Sequence, residues 1–477
     1  MEIATPTADT GRLLQLFEKQ KDKALLLRKQ SVSERKNVLR KFERFLLSNK
    51  ERINEAIYKD FKKPFVEVEL SELYPVLIEI RHALEHLEEW TRPRKIDAPM
   101  TYLGTRSEVW CEPKGVCLII APWNFPLNLC FGPLISCLAA GNTAILKPSE
   151  MTPHASRLIV ELVADVFDED QVATVEGDAE ISSRLLQLPF DHIFFTGSPM
   201  VGKIVMKAAA ENLTSITLEL GGKSPTIVDR TANLKDAARR IAFGKFLNNG
   251  QTCIAPDYVL VHEHVREKFM TELKRSVIDL FGERGKIDES SASYSRIVNH
   301  RNFIRLDDLV KDAIQRGAKP ELEGPSNPES RFMHPTILSC VPYDACIMEE
   351  EIFGPILPVL SFSSVNEVIA IVNSRPKPLA LYVFTGNKNF RNQILRQTSA
   401  GSVCINDCVL QFNHPNLPFG GVNNSGLGKA HGRYGFLAFS NEKSVLKQKS
   451  GFTFLYMVYP PYTTKVKRII DLMVRWF

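Results

Sequence analysis

From Val116 onward the chain alternates short apolar or β-branched runs with amphipathic helical stretches, and this alternation constrains the fold more than any other feature. Val116-Cys117-Leu118-Ile119-Ile120, Thr143-Ala144-Ile145-Leu146, Ile193-Phe194-Phe195 and Thr226-Ile227-Val228 lack the two-residue alternation of a half-wet strand, so each reads as buried on both faces. Such strands, spaced by helices, form parallel βαβ units and an open, doubly wound sheet. A second set, including Tyr258-Val259-Leu260-Val261 and Ser402-Val403-Cys404-Ile405, predicts a second α/β domain. The first hundred residues read instead as helices. Ser31-Val32-Ser33-Glu34 has capping-box spacing, and Val38, Leu39, Phe42 and Leu46 follow at a helical period. The expected class is α/β: two doubly wound open-sheet domains, one from residues 1–95 and 114–221, the other from 222–440. Thr101 to Cys111 and Ser444 to Lys449 alternate like edge strands. Residues 96–113 and 441–450 are therefore expected to build a small β element that pairs with another subunit, and residues 451–477 a separate tail.

The chain has 477 residues, 44% hydrophobic and 24% charged, a balance that suits a globular protein with a sizeable core. A net charge of +5 on a chain this long, with no lysine/arginine block, argues against a nucleic-acid partner. The nine cysteines are scattered and form no Cys-x-x-Cys pair, so neither a zinc site nor a thioredoxin-like motif is expected. Eight of them read as reduced, buried thiols in a reducing compartment; Cys253 is the exception. Met1-Glu2-Ile3-Ala4-Thr5-Pro6 lacks the layout of a signal peptide, and no apolar run reaches about 18 residues, so a cytoplasmic enzyme is expected.

Three segments carry chemistry. In Phe246-Leu247-Asn248-Asn249-Gly250-Gln251-Thr252-Cys253 the cysteine follows small and polar residues, as on an exposed turn open to a substrate. Glu219, in Leu218-Glu219-Leu220-Gly221-Gly222-Lys223, sits in an apolar run that would hold its proton, which suits a general base near neutral pH. The plainer alternative is a rim glutamate that caps a helix or pairs Lys223. Asn124, in Ala121-Pro122-Trp123-Asn124-Phe125-Pro126, is pinned between aromatics and prolines, so its amide has the fixed direction an oxyanion donor needs; an ordinary turn asparagine is the alternative.

Pro122-Trp123-Asn124-Phe125-Pro126, Glu219-Leu220-Gly221-Gly222-Lys223-Ser224-Pro225 and Gly250-Gln251-Thr252-Cys253, in this order, resemble the three active-site motifs of the aldehyde dehydrogenase superfamily. Cys253 follows Glu219 by 34 residues, the family's spacing. Leu146-Lys147-Pro148-Ser149-Glu150, Phe195-Thr196-Gly197-Ser198 with Val201-Gly202, and Glu350-Glu351-Ile352-Phe353-Gly354-Pro355 extend the resemblance over roughly residues 30–445. Ser295-Arg296-Ile297-Val298-Asn299, the stretch from His414 to Gly428, and Gly432 to Ser440 resemble the class-three and fatty-aldehyde branch. Asn423-Asn424 departs from it where glycine is usual at the first position; asparagine tolerates positive φ, so the loop should persist.

The resemblance implies that Cys253 attacks the aldehyde, that Asn124 and the Cys253 backbone N–H hold the oxyanion, and that Glu219 activates the water that hydrolyses the thioester. Residues 1–95 and 114–221 would then bind NAD(P), and 222–440 would be catalytic. Gly-x-Gly-x-x-Gly is absent. Gly197-Ser198-Pro199-Met200-Val201-Gly202 offers instead a helix N-terminus for a pyrophosphate. Also implied are Trp123 in the cofactor site, Lys147 and Glu150 on the adenosine ribose, and Glu351 with Phe353 on the nicotinamide side. Glu150 favours the free 2′-hydroxyl of NAD, although the branch also accepts NADP. No metal is expected in this chemistry. Two other functions compete: a coenzyme-A-acylating relative, which would usually lack Glu219, and a non-catalytic homologue, which would have lost active-site residues. The branch suggests a homodimer.

After Tyr459-Pro460-Pro461-Tyr462 the tail places Val466, Ile469, Ile470, Met473, Trp476 and Phe477 on one helical face, with charges summing to +3 mostly outside it. Three roles stand open: a helix docked on the core, a peripheral contact with an anionic membrane, or a cover over the substrate tunnel of this or a partner subunit.

Overall fold

The computed structural model describes residues 10–102, 104–451 and 453–476. Residues 1–6, read above for a leader, and Phe477 of the tail lie outside the described residues. Each run read as a buried strand is one. A six-stranded sheet has the order Gly426–Leu427, Ser215–Leu220, His192–Gly197, Val116–Ile120, Thr143–Lys147, Val172–Thr174. All its pairings are parallel except that of Gly426–Leu427 with Ser215–Leu220. The chain begins in the middle at Val116–Ile120, moves outward through Thr143–Lys147, then returns to the other side at His192–Gly197. That reversal leaves a crevice at the carboxyl ends of Val116–Ile120 and His192–Gly197, where doubly wound sheets bind ligands. Ala121–Pro126 leaves the first of these ends, and Gly197-Ser198 leaves the second.

The second sheet has seven strands, in the order Lys319–Leu322, Thr336–Ser339, Ile356–Phe362, Tyr258–His262, Pro225–Val228, Ala380–Phe384, Ser402–Ile405. It too is parallel, apart from the antiparallel edge Lys319–Leu322. Its central strands are buried but for Ser361, whereas Ser402–Ile405 is only half-buried, as an edge should be. Each sheet has helices on both faces, which gives four apolar clusters, two per sheet.

The helical start forms as the sequence predicts. Ser31 caps Val32–Ser48, its hydroxyl accepting the Glu34 N–H while the Glu34 carboxylate accepts the Ser31 N–H, and Leu39, Phe42 and Leu46 are buried. The two alternating runs pair with each other: Thr105–Pro113 lies antiparallel to Ser440–Gln448 over nine residues, and Arg94–Ile96 adds a short third strand. The tail forms a short 3-10 segment, Phe454–Val458, and a helix, Thr464–Trp476, against which it packs. No residue of that helix is buried; Val466, Ile469 and Met473 are half-covered, while Leu472, Val474 and Trp476 are exposed. It is therefore not docked as a core helix. Among the described residues, no helix is long and apolar enough to cross a membrane.

Candidate active site

The segment before Cys253 is shaped by three successive left-handed residues, Asn248 (φ 51°), Asn249 (φ 56°) and Gly250 (φ 73°), directly after the helix Leu234–Phe246. Asparagine tolerates this conformation best among residues with a side chain, and a Cβ on Gly250 would lie 2.2 Å from the Gly354 carbonyl oxygen. Buried hydrogen bonds offset the strain. Asn248 donates its backbone N–H to Glu67 (2.8 Å) and its side-chain amide to the carbonyls of Asn124 (2.8 Å) and Gln251 (3.1 Å). Asn249 donates to the Ser295 carbonyl (2.7 Å). Gln251 donates to Asn248 and Arg296 carbonyls (3.0 Å each) and accepts the Val298 N–H (2.9 Å). An amide-rich, glycine-terminated segment folds this way because each amide ties one left-handed residue to a neighbouring strand or loop.

Asn124 belongs to the same network. It is buried, and its Nδ2 donates to the Gln251 carbonyl at 3.0 Å, which leaves one amide N–H for another acceptor. It lines neither of the two cavities that meet at Cys253. One of these is lined by Glu219, Thr196, Phe194 and Pro133; the other is apolar, with Phe125, Leu129, Phe243, Leu247, Ile254 and Leu410. Cys253 thus stands between a carboxyl-bearing chamber and a greasy funnel. Burial pushes its thiol well up from the ordinary value, and the charges of Glu351 and Glu219 push it further.

Glu219 lies on the strand Ser215–Leu220 and is buried, with no hydrogen-bond partner for either carboxylate oxygen. Burial raises its carboxyl well above the usual carboxylate range, opposed by the Lys429 ammonium. The alternative of a Glu219–Lys223 pair does not occur: Lys223 is bound to Asp257 and donates to the Ile347 and Glu350 carbonyls at 2.8 Å each. Glu351 also acts on the Cys253 thiol through its charge. Its carboxyl is pushed up to about 8, first by burial, then by Asp257, against the Gly222 N–H; one of its oxygens, Oε1, has no partner. A Cβ on Gly221 would lie 2.0 Å from the other oxygen, so only glycine lets Glu351 stand there. Phe353 (φ 50°) presents its ring edge-on to Trp123 at 5.2 Å between centroids.

Farther along the crevice, the buried Lys147 holds Glu150 at 2.9 Å, and Glu150 opens onto a third cavity with Ser149, His154, Arg157, Asp178 and Arg184. Pro199 opens the helix Pro199–Glu211 as expected, with the Ser198 hydroxyl capping the Val201 N–H at 3.3 Å. Gly197 and Gly202 keep the strand end and this helix close: Cβ atoms there would lie 2.5 Å from the Phe195 ring and 2.8 Å from Leu220.

Several supporting residues escape sequence reading. Lys63 and Glu72 form a fully buried pair at 3.0 Å, and the other Glu72 oxygen accepts the Leu127 and Asn128 N–H groups (3.2 and 3.1 Å) just after Asn124. Glu67 holds Asn248, and Lys245 is fully buried beside Asp257 and Glu351 with no hydrogen-bond partner for its ammonium. Within helical stretches such residues look like a solvated face; only Gly250-Gln251, already singled out by the motif, gave a usable signal.

The profile described as the aldehyde dehydrogenase family matches residues 4–445. A 4,4'-diaponeurosporen-aldehyde dehydrogenase from Staphylococcus aureus is 44% identical over 442 residues, covering 92% of this chain and 94% of that protein. Aldehyde dehydrogenase family 3 member A2 from Mus musculus is 40% identical over 451 residues, covering 94% and 90%. The solved substrate-bound state of Staphylococcus aureus AldH superposes with a TM-score of 0.92 at 42% identity, covering 97% of this chain and 99% of that one. The chain belongs to the aldehyde dehydrogenase family, in its class-three branch, and is an oxidoreductase acting on aldehydes.

Proposed function

We propose that this enzyme oxidises medium- to long-chain aliphatic aldehydes to carboxylic acids through a thioester on Cys253, with NAD preferred over NADP as hydride acceptor. The observation that carries the reading is the opposition, in one cavity, of Cys253 and a carboxyl group, Glu219, neither of whose oxygens has a partner.

Cys253 reacts as its thiolate, its proton having passed to solvent, and the sulfur bonds the aldehyde carbon. The resulting oxyanion takes the Asn124 amide N–H not engaged with Gln251, together with the Cys253 backbone N–H. When bound, the dinucleotide supplies the two-electron oxidation by accepting hydride from that carbon, and the acyl group remains on Cys253 as a thioester. Glu219 then removes a proton from water, the water oxygen adds to the thioester carbon, and the C–S bond breaks to return the Cys253 thiolate. A carboxyl able to serve as this base argues for water over coenzyme A as acyl acceptor, and the same intact site argues against a non-catalytic homologue.

Support for a dinucleotide comes from the donors present. The orphaned Glu351 oxygen and the Trp123–Phe353 pair lie on the Cys253 side, the capped helix behind Gly197-Ser198 suits a pyrophosphate, and Lys147 with Glu150 suits a ribose diol. The Glu150 carboxylate would repel a 2′-phosphate, hence the preference for NAD. The apolar funnel beside Cys253 suits an aliphatic chain. Absorbance of the reduced cofactor, followed with hexanal to hexadecanal, NAD against NADP, and with and without coenzyme A, tests all three parts. A strict need for coenzyme A would overturn the hydrolytic reading. Asn124→Ala is expected to lower kcat by on the order of 10²-fold while sparing NAD affinity; an unchanged kcat where chemistry limits turnover removes Asn124 from the reaction.

The enzyme is proposed to be a homodimer. The strand Ser440–Gln448 ends its sheet, and its free edge is what pairs with another subunit. The tail is proposed to cover the funnel of this or the partner subunit while touching a membrane surface, since Leu472, Val474 and Trp476 are exposed beside cationic residues. Truncation after Tyr462 should lower kcat/KM for aldehydes of about twelve carbons or more and spare short ones. At about 0.8 kcal/mol per buried CH₂, two lost methylene contacts amount to about tenfold or more. Equal losses for hexanal and hexadecanal would show that the tail only stabilises the fold.

A further inference from the structure

In the proposed reaction Glu219 takes a proton from water at each hydrolysis, and it must shed that proton before the next one. Both of its oxygens are buried without a hydrogen-bond partner, and its side chain lines one of the two cavities that meet at Cys253. Apart from Cys253, the other ionisable groups lining that cavity, among the described residues, are Glu79 and His431. Lys429, whose charge opposes the effect of burial on Glu219, does not line it. Its ammonium donates to the Gly420 and Gly421 carbonyls and has no lone pair to accept a proton.

Glu219 and His431 flank a single pair of residues. A Cβ on Gly420 would lie 2.9 Å from Glu219 Oε1. The preceding residue, Phe419, exchanges both backbone hydrogen bonds with Ala430 (3.2 and 2.7 Å), and His431 follows Ala430. Phe419 and Ala430 line the same cavity, and residues paired in this way lie about 5.5 Å apart, so a short file of waters spans the gap. The cavity leaves about 50 Å³ for water, room for a few molecules at roughly 10–15 Å³ each. Asn413, also in its lining, carries a buried Oδ1 without a partner; such oxygens, like those of Glu219, are satisfied by water.

His431 is built to receive a proton. Glu79, on the helix Tyr74–Thr91, accepts from its Nδ1 at 3.0 Å and takes the Gly432 N–H on its other oxygen at 2.9 Å. A carboxylate only accepts, so Nδ1 carries the hydrogen and Nε2 keeps the lone pair; among the described residues no hydrogen bond engages Nε2. Burial alone would raise the Glu79 carboxyl, but His431 and the Gly432 N–H outweigh it and hold it below its ordinary value. A carboxylate therefore stands ready beside an imidazolium. The His431 backbone sits at φ 71°, which a residue with a side chain adopts at a cost, and its ring lies against those of Phe412 (4.7 Å) and Phe419 (5.2 Å). Its side chain keeps 15% of its surface exposed, which lets a proton go on to solvent.

We propose that His431 is the proton relay for Glu219 and Glu79 the residue that positions it, a role that rests on Glu219 being the base of thioester hydrolysis. Protonated Glu219 gives its proton to a water of the cavity, another proton passes along the file to His431 Nε2, and Glu219 returns to the carboxylate. The imidazolium, held by Glu79, then releases its Nε2 proton to solvent, so both groups regain their starting states.

The test is rapid mixing of the enzyme with NAD and hexanal, with imidazole added to the buffer or left out. His431→Asn supplies a residue that tolerates positive φ but has no titratable ring. It should retain a burst of NADH, because acylation does not use the relay. Its steady state should slow by about tenfold or more, short of the 10²–10⁴-fold for loss of the base itself. Imidazole should restore most of that loss and have no effect on Glu219→Gln, which has no proton to pass on. Glu79→Gln keeps an acceptor for the Gly432 N–H; it should show the same pattern and serves where His431→Asn does not fold. A parent-like steady state in His431→Asn overturns the relay, as does a slow one that imidazole leaves unchanged or a burst that falls equally. Absence of a burst in Glu219→Gln would instead overturn Glu219 as the hydrolytic base.

Discussion

Cys253→Ala is expected to abolish aldehyde oxidation while leaving NAD binding intact. In the proposed reaction the sulfur forms the bond that makes the carbonyl carbon a hydride donor and later carries the acyl group, and alanine can do neither. Loss of a covalent nucleophile of this kind costs on the order of 10⁴–10⁶-fold in kcat. The residues proposed to hold the dinucleotide, from Lys147 to Glu351, keep their places, so a fluorescence titration with NADH should read an unchanged affinity. Of the other eight cysteines, Cys408 is the sternest control, because it lines the same apolar funnel. Burial raises the Cys408 thiol well above its ordinary value, and Asp407 and Cys404 raise it further. Cys408 has no part in the proposed reaction, so Cys408→Ser should keep turnover within about tenfold. The other seven, of which Cys340 and Cys346 are exposed and not buried as their sequence setting suggests, should do the same when changed singly. A Cys253→Ala enzyme that still oxidised aldehydes near the parent rate would assign the nucleophile elsewhere.

Much of the fold was legible because the signals were local and redundant. Val116–Ile120 and Thr143–Lys147 are buried on both faces and carry apolar residues throughout, and the Ser31–Glu34 box marks a helix start in four residues. Gly426–Leu427 was not legible: two residues hold no periodicity, and the strand exists only because Ser215–Leu220 needs a partner on that side. Arg94–Ile96, all exposed, is likewise set by the neighbour it pairs with. At the candidate site the motifs named Asn124, Glu219 and Cys253. What brings Glu219 and Cys253 together lies in the tertiary structure. Glu219 ends a strand of one sheet, Cys253 follows a helix that covers the other, and a shared cavity joins them. Charged residues that act from below were hidden for the opposite reason. Lys63, Glu67 and Glu72 sit at helical spacings that normally face water, and only long-range packing turns them inward to hold the segments of Asn124 and Asn248.

Glu219→Gln is expected to separate the two halves of the reaction. Glutamine keeps the shape of the side chain but cannot take the water's proton, so deacylation should slow by 10²- to 10⁴-fold, the usual loss for a general base. Acylation does not need that proton acceptor once Cys253 is ionised. Rapid mixing should therefore show a burst of NADH close to one per active site, followed by a slow steady state. The pH dependence carries the same information with a definite sign. In the proposed role Glu219 works only when ionised, and burial holds its carboxyl well above the usual carboxylate range. The parent steady-state rate should thus climb as pH rises through that raised value and level off above it, where the base is fully deprotonated. In Glu219→Gln the climb assigned to deacylation should vanish, while the burst keeps whatever pH dependence the Cys253 thiol imposes, itself raised by burial and by the Glu351 and Glu219 charges. Removing the Glu219 charge also lifts one of those two carboxylate penalties on the thiolate, so the burst should shift toward lower pH than in the parent. A first turnover that falls as far as the steady state, with no burst, would instead make Glu219 the group that deprotonates Cys253.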